Sequence, residues 1–289
     1  MNELMRVCRF LDAAGKVRVG LIGDDSNVVD LSAAGLESLT SLIESDDPLA
    51  ALRKFTARGA HRVAMSSIKL LAPVERQEIW AAGVTYLRSR IARMEESSFS
   101  AVAYDRVYDA ARPELFFKAL SEKVVPSGEP VGIRRDAKWN VPEPELALVL
   151  DSRGRIKGYT IGNDMSSRDI EGENLLYLAQ AKVYARSCAL GPSLVFGPTE
   201  EQARTWEINM LIRRGENVAF EGRASLSNIK RSFAELADWL FRAQNFPHGA
   251  ILLTGTGIVP GAGFTLQRGD EIRIEVAGIG MLENPVVEV

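Results

Sequence analysis

The chain has 289 residues, 46% hydrophobic and 25% charged, with a formal net charge of −3. That balance offers no clustered basic surface for nucleic acid, no apolar run approaches the ~20 residues that span a bilayer, and the N-terminus lacks the pattern of a secretory signal. Two cysteines (Cys8, Cys188), far apart and without CxxC spacing, argue against a disulfide framework or a thiolate zinc site, and two histidines (His61, His248) build no paired-histidine motif.

Residues 5–12 and 16–22 alternate around Ala14-Gly15-Lys16 and predict a hairpin. Helices are expected near 36–45 and 48–58, so residues 1–72 read as a small N-terminal α/β unit ahead of a catalytic domain at 73–289. Gly20 and Gly23 lack the third glycine and the helix of a dinucleotide fingerprint. His61 and His248 read as loop residues. Strands are expected at 78–83, 145–151, 156–163, 206–214, 217–224, 250–254 and 271–277, and helices at 86–96, 167–178 and 228–244. Strands arriving as hairpins, without regular crossover helices, predict a mostly β (α+β) fold, antiparallel, with peripheral helices.

The segment Asn140-Val-Pro-Glu-Pro-Glu-Leu-Ala-Leu-Val-Leu-Asp151 carries the chemistry. Glu143 and Glu145 are two apart, so an extended chain points both to one side, with Cα atoms about 6.6 Å apart. Pro142 and Pro144 hold the chain extended and remove ladder donors, which places the stretch at a sheet edge or rim. A two-residue loop at Arg153-Gly154 would pair residues whose numbers sum to 307, setting Glu145 opposite Gly162 and Glu143 opposite Asp164. Three carboxylates in one patch repel, and a hard divalent cation resolves the conflict. With no histidine or cysteine cluster to compete, oxygen ligands favour Mg²⁺, with Mn²⁺ or Ca²⁺ as substitutes. Solvated surface glutamates are the competing reading.

Pro142–Leu148, Gly158–Asp169 (Gly-Tyr-Thr-Ile-Gly-Asn-Asp-Met-Ser-Ser-Arg-Asp) and Ala181-Lys182 resemble the metal-binding core of the fumarylacetoacetate hydrolase family. Gly83–Tyr86, Pro113–Lys118, Gly191-Pro192, Thr254–Gly257 and the stretch from Gly269-Asp270 to Gly280 extend the resemblance over about 78–289. It implies a β-sandwich roll, a divalent metal on Glu143, Glu145 and Asp164, and a homodimer or homotetramer. Hydrolytic members have Asn-Tyr-x-x-His after the first glycine, where the histidine activates water. Here Thr85-Tyr86-Leu87-Arg88-Ser89 puts Ser89 at the histidine position, and a hydroxyl is no base near neutral pH. Arg112–Lys118, Trp139–Glu145 and Asp169–Asn174 are similar to a branch of 2-keto-3-deoxypentonate dehydratases, which form 2,5-dioxopentanoate in pentose degradation.

The resemblance implies a cytoplasmic, Mg²⁺-dependent dehydratase of a small 2-keto acid, acting through a metal-stabilised enolate. Lys182 matches the family's active-site lysine and becomes the candidate base, or the proton donor to the enolate. Glu114, between Pro113 and the apolar Leu115-Phe116-Phe117, is the candidate acid at the C4 hydroxyl, against the alternative of a carboxylate opening a helix. Thr256, Arg168 and Glu171 stand at substrate-facing positions of relatives, and Tyr86, Arg88 and Ser89 are further candidate substrate contacts. Cys188, beside a turn at Gly191-Pro192, reads as core filler. The rival reading is C–C hydrolysis of an acylpyruvate or diketo acid, or decarboxylation of a keto acid, on the same site.

Overall fold

The structure, a computed structural model, describes residues 3–23, 27–58, 61–89, 91 and 106–289. The N-terminal segment contributes β1 (Met5–Leu11), β2 (Val17–Ile22), β3 (Asn27–Asp30), α1 (Leu39–Ile43), α2 (Pro48–Thr56), β4 (Arg62–Ala64) and β5 (Lys69–Leu71). There follow β6 (Glu78–Gly83), β7 (Glu114–Ala119), β8 (Val131–Ile133), β9 (Asn140–Val141), β10 (Pro144–Leu150), β11 (Ile156–Asp164) and β12 (Ser166–Ser167). The remainder is α3 (Arg168–Glu173), α4 (Leu178–Lys182), β13 (Cys188–Phe196), α5 (Glu200–Ala203), β14 (Glu207–Arg214), β15 (Asn217–Ser225), α6 (Phe233–Phe241), β16 (Ala250–Leu253), β17 (Glu271–Val276) and β18 (Gly280–Glu288).

One large sheet runs β4-β3-β2-β1-β13-β11-β10-β16-β6-β7, with β5 also paired to β1; a second runs β15-β14-β17-β18-β8. Pairing is antiparallel except at β16–β6 and β18–β8. The fold is thus mostly β with peripheral helices, as its strand and turn pattern predicts. Among the described residues no helix is long and apolar enough to cross a membrane.

Strand β10 is buried along its whole length. Leu146, Leu148 and Leu150 enter the core between the two sheets, with Ile208, Met210, Ile272 and Ile274. Ala147 and Val149 enter a second core, with Leu39, Leu42 and Leu52 of the N-terminal helices. A run apolar at every position suits a strand covered on both faces. The N-terminal segment therefore shares its core and its sheet with the remainder, through β1 paired to β13.

The β10–β11 register holds where it matters, but not by the expected turn. Glu145 pairs with Gly162 and Pro144 with Asn163. The loop spans Asp151–Arg155 rather than closing at Arg153-Gly154: Asp151 N–H donates to Arg155 O (3.1 Å). The Asp151 carboxylate accepts from the Arg153 and Arg155 amides (3.0 and 2.9 Å), an Asx-type closure that the two-residue reading overlooked. Leu150 then pairs with Ile156, and a bulge before Val149↔Gly158 restores the expected register. Pro142 and Pro144 lie at the end of a central strand, where β10 has outrun its pairing with β16, so the rim reading holds and the sheet-edge reading does not.

Other expectations are corrected. Gly191-Pro192 is no turn but lies within β13, where the ladder shifts between Tyr159 and Ile161 and tolerates a proline. Strands β3, β4, β5, β7, β8, β9, β12, β13 and β18 were not anticipated, and Glu114 opens a strand, not a helix. The 167–178 helix breaks into α3, a 3₁₀ turn at Leu175–Tyr177 and α4. Of the 86–96 helix, residues 87–89 and 91 are helical, while 90 and 92–96 lie outside the described residues.

Candidate active site

The three carboxylates converge at the rim of the large sheet. Glu143 and Glu145 leave the start of β10, and Asp164 ends β11; the Asp164 amide donates to Glu143 O (2.9 Å). The Glu143 amide donates to Asn163 Oδ1 (3.2 Å), so both strand ends are tied side to side. One oxygen from each carboxylate lies within 4.8 Å of the others, and all three residues are buried. The donor set is entirely oxygen, which fits a hard divalent cation such as Mg²⁺. Burial first, then the charges of Asp164 and Glu143, push the Glu145 carboxyl well above the usual carboxylate range. The cluster is thus unfavourable as three bare anions, a conflict a cation relieves.

Three cations surround it. Lys182, the last residue of α4, donates to Glu143 Oε2 (2.8 Å), Asp164 Oδ2 (2.9 Å) and Ser166 Oγ (2.6 Å). Arg168, the first residue of α3, donates to Glu143 Oε1 (3.2 Å). Lys118, on β7, pairs with Asp164 Oδ1 and donates to the carbonyls of Met165 (2.9 Å) and Lys182 (2.5 Å). All three are buried.

Lys118 and Ser166 escaped the sequence reading, although a signal for Lys118 existed. Glu114, Phe116 and Lys118 alternate in Glu-Leu-Phe-Phe-Lys, and with strand periodicity they share one face. Phe116 lies in the cavity wall, 5.6 Å from the Lys182 ammonium to its ring centroid.

Glu114, Ser89, Glu171 and Thr256 line the same cavity as the triad, Lys182 and Arg168. Ser89 Oγ donates to Tyr86 O (2.8 Å), closing the turn that follows β6. The Gly255 amide donates to Glu145 Oε2 (2.6 Å), so the Gly-rich loop after β16 fixes that carboxylate. Thr256 Oγ1 accepts from the Ile258 amide (3.1 Å). Two expected contacts are not in the wall. Tyr86 is buried against the inter-sheet core, and Arg88 is exposed on the short helix beyond it. Successive residues of a helical turn point about 100° apart, so Ser89 enters while Arg88 does not. Neither His61 nor His248 reaches the cavity: His61 is exposed, and the His248 carbonyl accepts from Gln77 Nε2 (2.8 Å). Cys188 is buried and faces Asp164 across the ladder as core filler.

Residues 78–287 match the family model described as fumarylacetoacetate hydrolase C-terminal. A probable 2-keto-3-deoxyxylonate dehydratase of Haloferax volcanii is 49% identical over 217 residues, covering 75% of this chain and 74% of that protein. The 2-dehydro-3-deoxy-D-arabinonate dehydratase of Saccharolobus solfataricus is 37% identical over 274 residues, covering 89% and 92%. A solved structure of 2-keto-3-deoxy-D-arabinonate dehydratase complexed with magnesium and 2,5-dioxopentanoate superposes with a TM-score of 0.79 at 34% identity, over 100% of this chain and 99% of that one.

Proposed function

The chain belongs to the fumarylacetoacetate hydrolase family, and from that membership we propose that it is a Mg²⁺-dependent dehydratase converting a 2-keto-3-deoxypentonate to 2,5-dioxopentanoate. The observation that carries the reading is the buried triad Glu143, Glu145 and Asp164 with Lys182 in direct contact, in a cavity that neither histidine enters. Hydrolysis needs a group to activate water, and at that position stands Ser89, its hydroxyl engaged with the Tyr86 backbone. Hydrolysis is therefore not favoured, and the dehydratase relatives weigh against decarboxylation.

Glu143, Glu145 and Asp164 would hold the metal. When bound, Mg²⁺ supplies Lewis acidity and a template for the carboxylate and 2-keto oxygens of the substrate, which acidifies C3. Lys182 is then the group placed to take the C3 proton, and Glu114 to give a proton to the departing C4 hydroxyl, which leaves as water. The 3,4-unsaturated acid so formed keeps its C5 hydroxyl; transfer of a C5 proton to C3 gives the C5 enol, and loss of its hydroxyl proton with protonation at C4 yields the aldehyde. Arg168, Thr256, Ser89 and Glu171 serve to orient the substrate. The two buried free thiols support a reducing, cytoplasmic setting, and a homodimer or homotetramer working in pentose oxidation completes the reading.

Purified protein incubated with 2-keto-3-deoxypentonate stereoisomers and Mg²⁺, with and without EDTA, tests this, with 2,5-dioxopentanoate read through an aldehyde dehydrogenase. The expected result is product that EDTA and Glu143→Gln abolish. Product that survives EDTA, or cleavage of an acylpyruvate in its place, would overturn the assignment.

A further inference from the structure

Val84 has a backbone conformation that a valine rarely takes. Its φ is +52°, and among the described residues only Arg186 shares a positive φ without being glycine. A β-branched side chain in the left-handed region is strained, and the surrounding structure must over-determine it. Here it does. Thr85 Oγ1 donates to Thr254 O (2.6 Å), and the Lys230 amide donates to Thr85 O (3.0 Å). The 254–257 loop presses so close that a Cβ on Gly255 would stand 2.1 Å from Thr85 Oγ1. Glycine would relieve the strain at residue 84, so a valine there has a use for its side chain.

That side chain is not core filler. Val84 is 7% exposed yet packs into none of the three hydrophobic clusters among the described residues; it lines the cavity of the triad. The rest of that wall is charged or hydroxylated, apart from glycines, Ala82 and Phe116, and the Phe116 ring is taken up by the Lys182 ammonium. Val84 also adjoins Gly83, over which the Glu114 carboxylate lies. If the carboxylate and keto group of a 2-keto-3-deoxypentonate sit at the triad and its C4 hydroxyl at Glu114, the carbon in between is C3. C3 is the one interior carbon that bears no oxygen.

We infer that Val84 is a specificity residue: it forms the apolar wall against the substrate's C3 methylene and discriminates against 2-keto acids that carry a C3 hydroxyl. An extra hydroxyl against this wall would lose its water and find no partner. The inference rests on the dehydratase reading and deepens it.

Val84→Asn and Val84→Gly test it, because asparagine and glycine both accept the left-handed conformation. The thermal midpoints of the variants need no substrate; Val84→Asn is expected to melt no lower than wild type, since strain is relieved. Inhibition by a 2-ketopentonate that retains its C3 hydroxyl is expected to tighten roughly tenfold or more in Val84→Asn. Over the same change, kcat/KM for the 3-deoxy acid falls roughly 10- to 100-fold. A lower midpoint in both variants, or inhibition by the 3-hydroxy acid unchanged in a wild-type-active background, overturns the role of Val84 alone. A wild type that turns over no 2-keto-3-deoxypentonate isomer overturns the dehydratase reading as well.

Discussion

The carboxylate of Glu114 lies over the bare Cα of Gly83: a Cβ added at residue 83 would stand 2.0 Å from Glu114 Oε2 and 2.6 Å from its carboxyl carbon. The two residues are direct partners in the β6–β7 ladder, so the missing side chain on one strand makes room for the charged group of the other. Gly83→Ala is expected to push Glu114 out of position and to imitate Glu114→Gln. Both should lower kcat by roughly 10²–10⁴, the usual worth of a placed proton donor, with Mg²⁺ affinity retained. Kinetics beside a magnesium titration would check this; full activity in Gly83→Ala would remove Glu114 from the proton-transfer role.

Glu145 links stability to pH. Burial holds its carboxyl well above the usual range, so the folded, metal-free protein keeps a proton that the unfolded chain releases near pH 4.3. The contribution is present below that value and is lost as pH rises through the higher folded value. Metal-free wild type should therefore lose midpoint temperature as pH rises above about 4.3 relative to Glu145→Gln, and saturating Mg²⁺ should raise the wild type only. Parallel melting curves for the two proteins across that range would contradict it.

Lys118 satisfies Asp164 and two main-chain carbonyls from a fully buried position. Lys118→Met takes this donor from both carbonyls and from Asp164 Oδ1, leaving Asp164 with Lys182 alone among the described residues, and removing one partner of a buried pair typically costs about 3–5 kcal/mol. Urea denaturation of the metal-free protein should show a loss of that order. A change below about 1 kcal/mol would mean that water reaches this end of the cavity.

Burial pushes the thiols of Cys8 and Cys188 each up to about 12. Below that pH they stay protonated, and the thiolate is the reactive form. At pH 8 the native protein should react with a disulfide reagent roughly a thousandfold more slowly than free cysteine, and should release two equivalents once unfolded in urea. Rapid modification of either thiol in the native state would show that its strand opens.

The triad was legible in the sequence because it depends on short-range rules: a two-residue period, prolines that keep the chain extended, and a turn that folds β10 onto β11. Those rules brought Glu145 to Gly162 even though the loop and the bulge each depart from the simple hairpin by one residue, in compensating directions. What stayed hidden depends on distant partners. Lys118 is fixed by carbonyls 47 and 64 residues away, and no local pattern announces them. The proline inside β13 looks like a turn until its neighbour strands are known. That Tyr86 and Arg88 lie outside the cavity wall follows from how the turn after β6 packs, which their motif does not announce.

The pairing of β1 with β13 has a consequence for how the molecule avoids its own kind. Strand β13 is apolar and carries the neighbour of Asp164; β11 covers one flank, and the other is divided between β1, at Leu194–Phe196, and Val125, which bonds to Cys188 and Leu190. Stripped of β1, that flank would present bare amides and carbonyls along a hydrophobic strand, a template on which a second chain could add. The N-terminal segment thus insulates the catalytic sheet, keeping its strands from polymerising through the strand beside the metal ligand.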